Sequence, residues 1–229
     1  MSIGHSIFIG IDLSDPYAKQ KRPCDQATIG MDLNCVFDEW DYNSTGNQII
    51  PDEILPIPFI LAIDGPQGLA GNPENTMRLS ERKLGTAGKS PYAFQPIRQP
   101  NAGFIKGSIE LYYSLVDKGF HLHRLKAEKA DTNLIEVYPG SAWPVIAGYR
   151  LQKKRLLVGR QSRYELLTRV GIKFSPKYSL EVLQGAVELK SLTRHNLYSL
   201  ISHCQWDILA LTISASRWQS VVKMLDMKV

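Results

Sequence analysis

Cysteine is scarce in this chain. Cys24, Cys35 and Cys204 are the only three among 229 residues, and no two form a CxxC pair. That spacing excludes a disulfide scaffold or a zinc ribbon as the organising device and fits reduced thiols. Long hydrophobic runs are missing too: none approaches the ~20 apolar residues that cross a bilayer. The N-terminus lacks a basic stretch leading into an apolar segment and a small-residue cleavage site, so no secretory signal and a cytoplasmic location are expected. No membrane partner is expected. Repeats, low-complexity tracts and linkers are absent from the sequence, which predicts one domain over residues 1–229 with an insertion at about 65–130.

What remains is enough for a substantial core. Hydrophobic residues make up 44% and charged residues 21%, the balance of a globular protein. The formal charge is +5 and the pI about 9.0, which favours phosphate-bearing partners. The basic residues fall into three groups: Lys19, Lys21 and Arg22; Arg78, Arg82 and Lys83; and Lys153, Lys154, Arg155, Arg160, Arg163 and Arg169. Any one group, taken alone, is accounted for by a solvated face.

Two apolar runs, 5–13 and 58–64, carry the pattern of strands buried on both faces. Both reach their carboxyl end at an aspartate, Asp12 and Asp64, the kind of group that costs most to bury. Two further strands are expected at Ala27–Leu33 and Asn34–Asp41, and a short helix at about 47–56. Residues 65–106 are rich in Gly, Pro and Asn, with a short helix at Glu74–Leu84. Helical spacing then appears at Gly107–Lys118 and Arg160–Val170, and a strand at Leu134–Tyr138. The clearest helix comes last: Leu197, Leu200, Ile201, Cys204, Ile208, Leu211 and Ala215 form an apolar stripe with Asp207 at its edge.

If the two Asp-terminated strands are parallel neighbours, about 4.8 Å apart, both acids reach the carboxyl end of the sheet, where open α/β sheets bind ligands. Carboxylates that close repel unless a cation joins them, and hard ions such as Mg²⁺ or Mn²⁺ prefer oxygen ligands. Asp207 could close such a site from a helix. Glu136, flanked by Ile135 and Val137 in a strand, needs a partner, the simplest being a salt bridge to an arginine. Carboxylates from two strands and a late helix, beside basic groups, suit two-metal phosphodiester hydrolysis of DNA or RNA. Arg78, Arg82, Lys154, Arg160 and Arg163 would then contact phosphates.

These residues also carry a family resemblance. Gly10-Ile11-Asp12, Ala62-Ile63-Asp64-Gly65-Pro66-Gln67-Gly68-Leu69, Arg78–Gly85, Glu136-Val137-Tyr138-Pro139, Lys153-Lys154 with Gly159-Arg160 and Arg163, and Trp206–Ala210 follow in order. The series resembles the predicted RNase H-like nucleases of domain-of-unknown-function family 429. The resemblance implies an RNase H-like α/β fold: a mixed five-stranded sheet with an antiparallel opening meander, flanked by helices. It further implies a metal site of Asp12, Asp64 and Asp207, with Glu136 as a catalytic neighbour. Cys204 stands where members often have a second Asp, and Ile208 where an Ala is usual.

Other signals are weaker. Gly85-Thr86-Ala87-Gly88-Lys89-Ser90 resembles the tail of a phosphate loop, but Lys83 occupies the position of its first Gly. His121-Leu122-His123 has no third metal ligand at useful spacing. The alternatives to a nuclease are a non-catalytic nucleic-acid-binding protein of the same fold and an actin-like or sugar-kinase-like phosphotransferase.

Overall fold

The two apolar runs form the centre of the sheet. Strands β1 (Ile7–Asp12) and β4 (Phe59–Asp64) pair in parallel, with Ile9 opposite Leu61 and Ile11 opposite Ile63. Ile9, Leu61 and Ile63 are fully buried, and each such side chain contributes about 1.5–3 kcal/mol relative to an exposed one. The computed structural model describes residues 7–42, 59–85, 90–93, 101–122, 132–153 and 156–176. Beyond β1 and β4 these residues form β2 (Cys24–Ile29), β3 (Asn34–Trp40), α1 (Leu79–Leu84) and α2 (Ala102–Asp117). They continue with β5 (His121–Leu122), β6 (Thr132–Glu136), α3 (Pro139–Ala147), α4 (Leu157–Arg169) and β7 (Lys173–Phe174).

The architecture is α/β, a mixed sheet flanked by helices. Strand order is β5-β6-β4-β1-β2-β3-β7. Strands β1, β2 and β3 form an antiparallel meander, while β4, β6 and β5 add in parallel on the other side of β1. Where five strands were expected, seven pair among the described residues. The two additions, β5 and β7, are two-residue strands at the sheet's outer edges, too short to leave an alternation pattern in the sequence.

Helix α2 packs Leu111, Tyr112 and Leu115 against the face that carries Ile9, Ile11, Leu61 and Ile63. On the other face, α3 and α4 cover Ala27, Ile29 and Cys35 with Ala142, Trp143, Ile146 and Leu167. A third cluster, Phe8, Ile60 and Ala62 with Ile135 and Val137, lies on that same face at the centre of the sheet.

Several boundaries differ from expectation for local reasons. Strand β2 ends at Ile29, because Gly30–Leu33 is a turn closed by Leu33 N to Gly30 O at 3.0 Å. Leu33 takes φ 62°, a conformation disfavoured for a bulky residue. It is held there by Lys173 N, which donates to Leu33 O at 2.9 Å. Helix α2 starts five residues before its expected Gly107. Helix α3 was not expected at all, since Pro139-Gly140 reads as a stop, yet proline is well suited to the first helical turn. The helices expected at 47–56 and 197–215 lie outside the described residues.

Candidate functional site

Strand order reverses between β1 and β4. From β1 the chain turns to β2 and β3 on one side; β4 then opens the other side, followed by β6. In open α/β sheets this reversal leaves a crevice at the carboxyl ends of the two strands. Asp12 and Asp64 stand there as direct register partners, both partly buried. The row extends further, because Asp25 pairs with Asp12 and Glu39 with Asp25. Cross-strand partners share a face, so four acids line one edge-on row of four strands. Like charges directly opposite one another are destabilising.

A seam of small residues on α2 seats the loops behind the two aspartates. A Cβ at Gly103 would overlap the Asp15 carboxylate, and one at Gly107 would overlap the Pro16 ring. Next to Gly107, Ser108 Oγ donates to Pro66 O at 2.9 Å and fills the space in which a Cβ at Gly65 would lie. The β1 loop is tied again where Tyr17 Oη donates to Glu110 Oε2 at 2.6 Å and Lys106 Nζ lies 4.3 Å from the Tyr17 ring centre. Tyr42 Oη donates to Gly107 O. Thus one helix holds both Asp-bearing strand ends.

Glu136 is bound by an arginine. Its register partner is Ile63, one residue out of step with Asp64, which turns it toward the α2 face of the sheet. There its carboxylate accepts both Nη groups of Arg78, Nη1 at 2.7 Å, and the Gln67 amide at 3.2 Å. Arg78 Nε also reaches Glu81 Oε1 at 3.1 Å. Glu81, 5% exposed, further accepts the Arg78 amide, the Ser90 amide and the Ser90 hydroxyl, at 2.9, 2.9 and 2.5 Å. Burial opposes the Glu81 charge, but the bonds from Ser90 and Arg78 outweigh it and hold its pKa below the ordinary carboxylate value. For Arg78 burial again opposes the charge, and the bonds to Glu136 and the charge of Glu81 raise its pKa.

Between this clamp and α2 lies a cavity of about 400 Å³ that reaches Asp64 and opens at the ends of β4 and β6. Beneath it the buried Tyr112 hydroxyl donates to Ile135 O at 3.3 Å. Its pKa is raised by burial first and then by the charge of Glu136.

The expected site residues therefore separate. Asp12 and Asp64 come together. Arg78 binds carboxylates, and Arg82 is exposed on α1. Arg160 and Arg163, expected to face phosphates, are each only 6% exposed. Arg163 Nη1 donates to Gln152 O at 2.8 Å and Gly159 O at 2.6 Å, and its guanidinium lies 5.1 Å from the Trp143 ring. They pack where a surface contact was expected, because α4 turns this side toward α3. Lys154 and Asp207 lie outside the described residues. Asp25, Glu81 and Ser90 were not anticipated; only the strand register and the α1 fold connect them to the site.

The donor chemistry of Asp12 and Asp64 fits a hard divalent cation. Among the described residues no group of three His, Cys, Asp or Glu is arranged to hold one. No helix among the described residues is long and apolar enough to cross a membrane. No protein-family model, curated protein or solved structure matches this chain.

Proposed function

We propose that the chain is a metal-dependent nuclease of RNase H-like fold, acting on DNA or RNA with Mg²⁺ or Mn²⁺. The observation that carries this reading is the register pairing of Asp12 with Asp64 at the carboxyl end of the two central parallel strands. An antiparallel meander followed by parallel strands is also what the RNase H-like reading calls for. Asp12 and Asp64 would hold the ion, and a bound ion there supplies Lewis acidity and a water of lowered pKa. Through that ion the two carboxylates would keep the reacting phosphate at the strand ends, and the α2 seam holds the loops behind them.

Asp207, which the sequence puts at the edge of an apolar helical stripe, is the third carboxylate of this reading. Glu136 is reassigned from catalysis to holding Arg78.

The test is cleavage of labelled single-stranded, duplex, hybrid and branched DNA and RNA with Mg²⁺ or Mn²⁺, with and without chelator. Wild type is expected to cut and Asp64→Asn to lose at least 10²-fold in rate while remaining folded, the scale seen when one charge-stabilising group is removed. Equal cutting by both proteins would end the two-carboxylate account. Salt-sensitive binding without cutting would favour a non-catalytic nucleic-acid-binding protein.

A further inference from the structure

We propose that the 400 Å³ cavity beside Asp64 is a subsite for one unpaired nucleoside, so that the strand entering the site is single there. This rests on the nuclease reading for the phosphate and goes beyond it for the base and sugar. Volume is the first argument: the cavity falls in the range of small-molecule sites and has no room for a base pair with two backbones.

Polarity is the second. Among the described residues, Asp15, Asp64, Glu81 and Glu136 line the cavity against one cation, Arg78. A bare phosphate would be repelled, whereas exocyclic amines and sugar hydroxyls, which donate hydrogen bonds, would be accepted. Glu81 and Glu136 are already engaged by Ser90, Arg78 and Gln67. That leaves selection to Asp15, which accepts the Tyr17 amide through Oδ1 at 2.8 Å, and to Asn101, whose side chain makes no capping bond to α2.

The third argument is the apolar part of the lining. Phe104 and Tyr138 contribute aromatic surface and Ile105 and Val137 aliphatic surface, the composition on which unpaired bases stack. Position completes the case. Asp64 belongs to both the cavity and the aspartate pair, so a nucleoside in the cavity carries its phosphate to the strand ends.

The experiment has two arms on the full chain with Mg²⁺. Calorimetric titration uses adenosine and cytidine, inorganic phosphate, and spermidine as probes. Cleavage compares a hairpin with a single-stranded overhang to the same hairpin with a blunt end. Nucleosides are expected to bind, and affinity is expected to fall about tenfold in Phe104→Leu, which keeps apolar bulk but loses the stacking face. Asn101→Gly is a second variant, compatible with the left-handed backbone at φ 61°; it too should weaken nucleoside binding, and it carries the test if the first variant does not fold. Binding of phosphate or spermidine in place of nucleosides would overturn the subsite. Equal cutting of blunt and overhang hairpins would overturn it while leaving the nuclease reading intact. Nucleoside binding that is lost in the variants, without cleavage of any substrate, would uphold the subsite and remove the nuclease.

Discussion

Glu81 shows how a single carboxylate can organise a loop. It accepts from the amide of Arg78 and from both polar groups of Ser90, and so joins the start of α1 to a residue nine positions ahead in sequence. Replacing it by Gln leaves donors facing donors, and Glu81→Gln is expected to cost about 1–3 kcal/mol in denaturant unfolding. The pH dependence follows from the direction of its pKa. The folded value is depressed, so the stabilisation is complete above the unfolded carboxylate pKa of ~4.3 and is lost as pH falls through the lower folded value. Wild type should therefore lose stability over that acid range more steeply than Glu81→Gln; parallel acid limbs would remove Glu81 from the account. The sequence revealed the strand-terminal aspartates because a charge at the end of an apolar run stands out. It also offered an arginine partner for Glu136. It could not distinguish buried Arg160 and Arg163 from surface cations, since facing depends on how α4 meets Trp143.

At the scale of elements, α2 is the part on which the site depends. Gly107→Ala forces the Pro16 loop away from the helix, and overpacking of this kind typically costs about 1–3 kcal/mol. The expected result is a lower melting temperature together with loss of cleavage. A variant that melts lower but cuts normally would show that the β1 loop tolerates displacement without disturbing Asp12. The same glycines explain why the first part of α2 was illegible. Gly103 and Gly107 are poor helix formers, placed where the backbone of another segment must come close, so propensity and packing point in opposite directions. Helix α3 was hidden by Pro139-Gly140, and β7 by its length. The long apolar strands were readable because both of their faces are covered, leaving no competing pattern.

For the whole molecule, the row from Glu39 to Asp64 concentrates negative charge on a chain of net charge +5. A divalent ion bound at one end of this row should stabilise the fold. At about a hundred times its Kd the gain is about 2.7 kcal/mol, or about 5–10 °C in melting temperature for a chain of this size. Mg²⁺ should produce that rise in wild type and a smaller one in Asp64→Asn; identical curves with and without the ion would count against a metal at this edge. The parallel alignment of the two central strands was legible as a condition for the site, but their exact register and the participation of Asp25 were not, because register is decided by pairing across the sheet.

The pairing of β1 with β4 also has a kinetic consequence. The β1–β3 meander forms from neighbouring segments, whereas Asp12 meets Asp64 only after a much longer loop has closed. Carboxylate repulsion then opposes the last approach of the strands, and a cation recognises only the product of that approach. Such an ion acts after the folding barrier: it should slow unfolding and leave the folding rate almost unchanged. In stopped-flow chevrons, Mg²⁺ should lower the unfolding limb alone; a shift confined to the folding limb would place the β1–β4 contact before the barrier. The protein's persistence against unfolding would then depend on the supply of the ion.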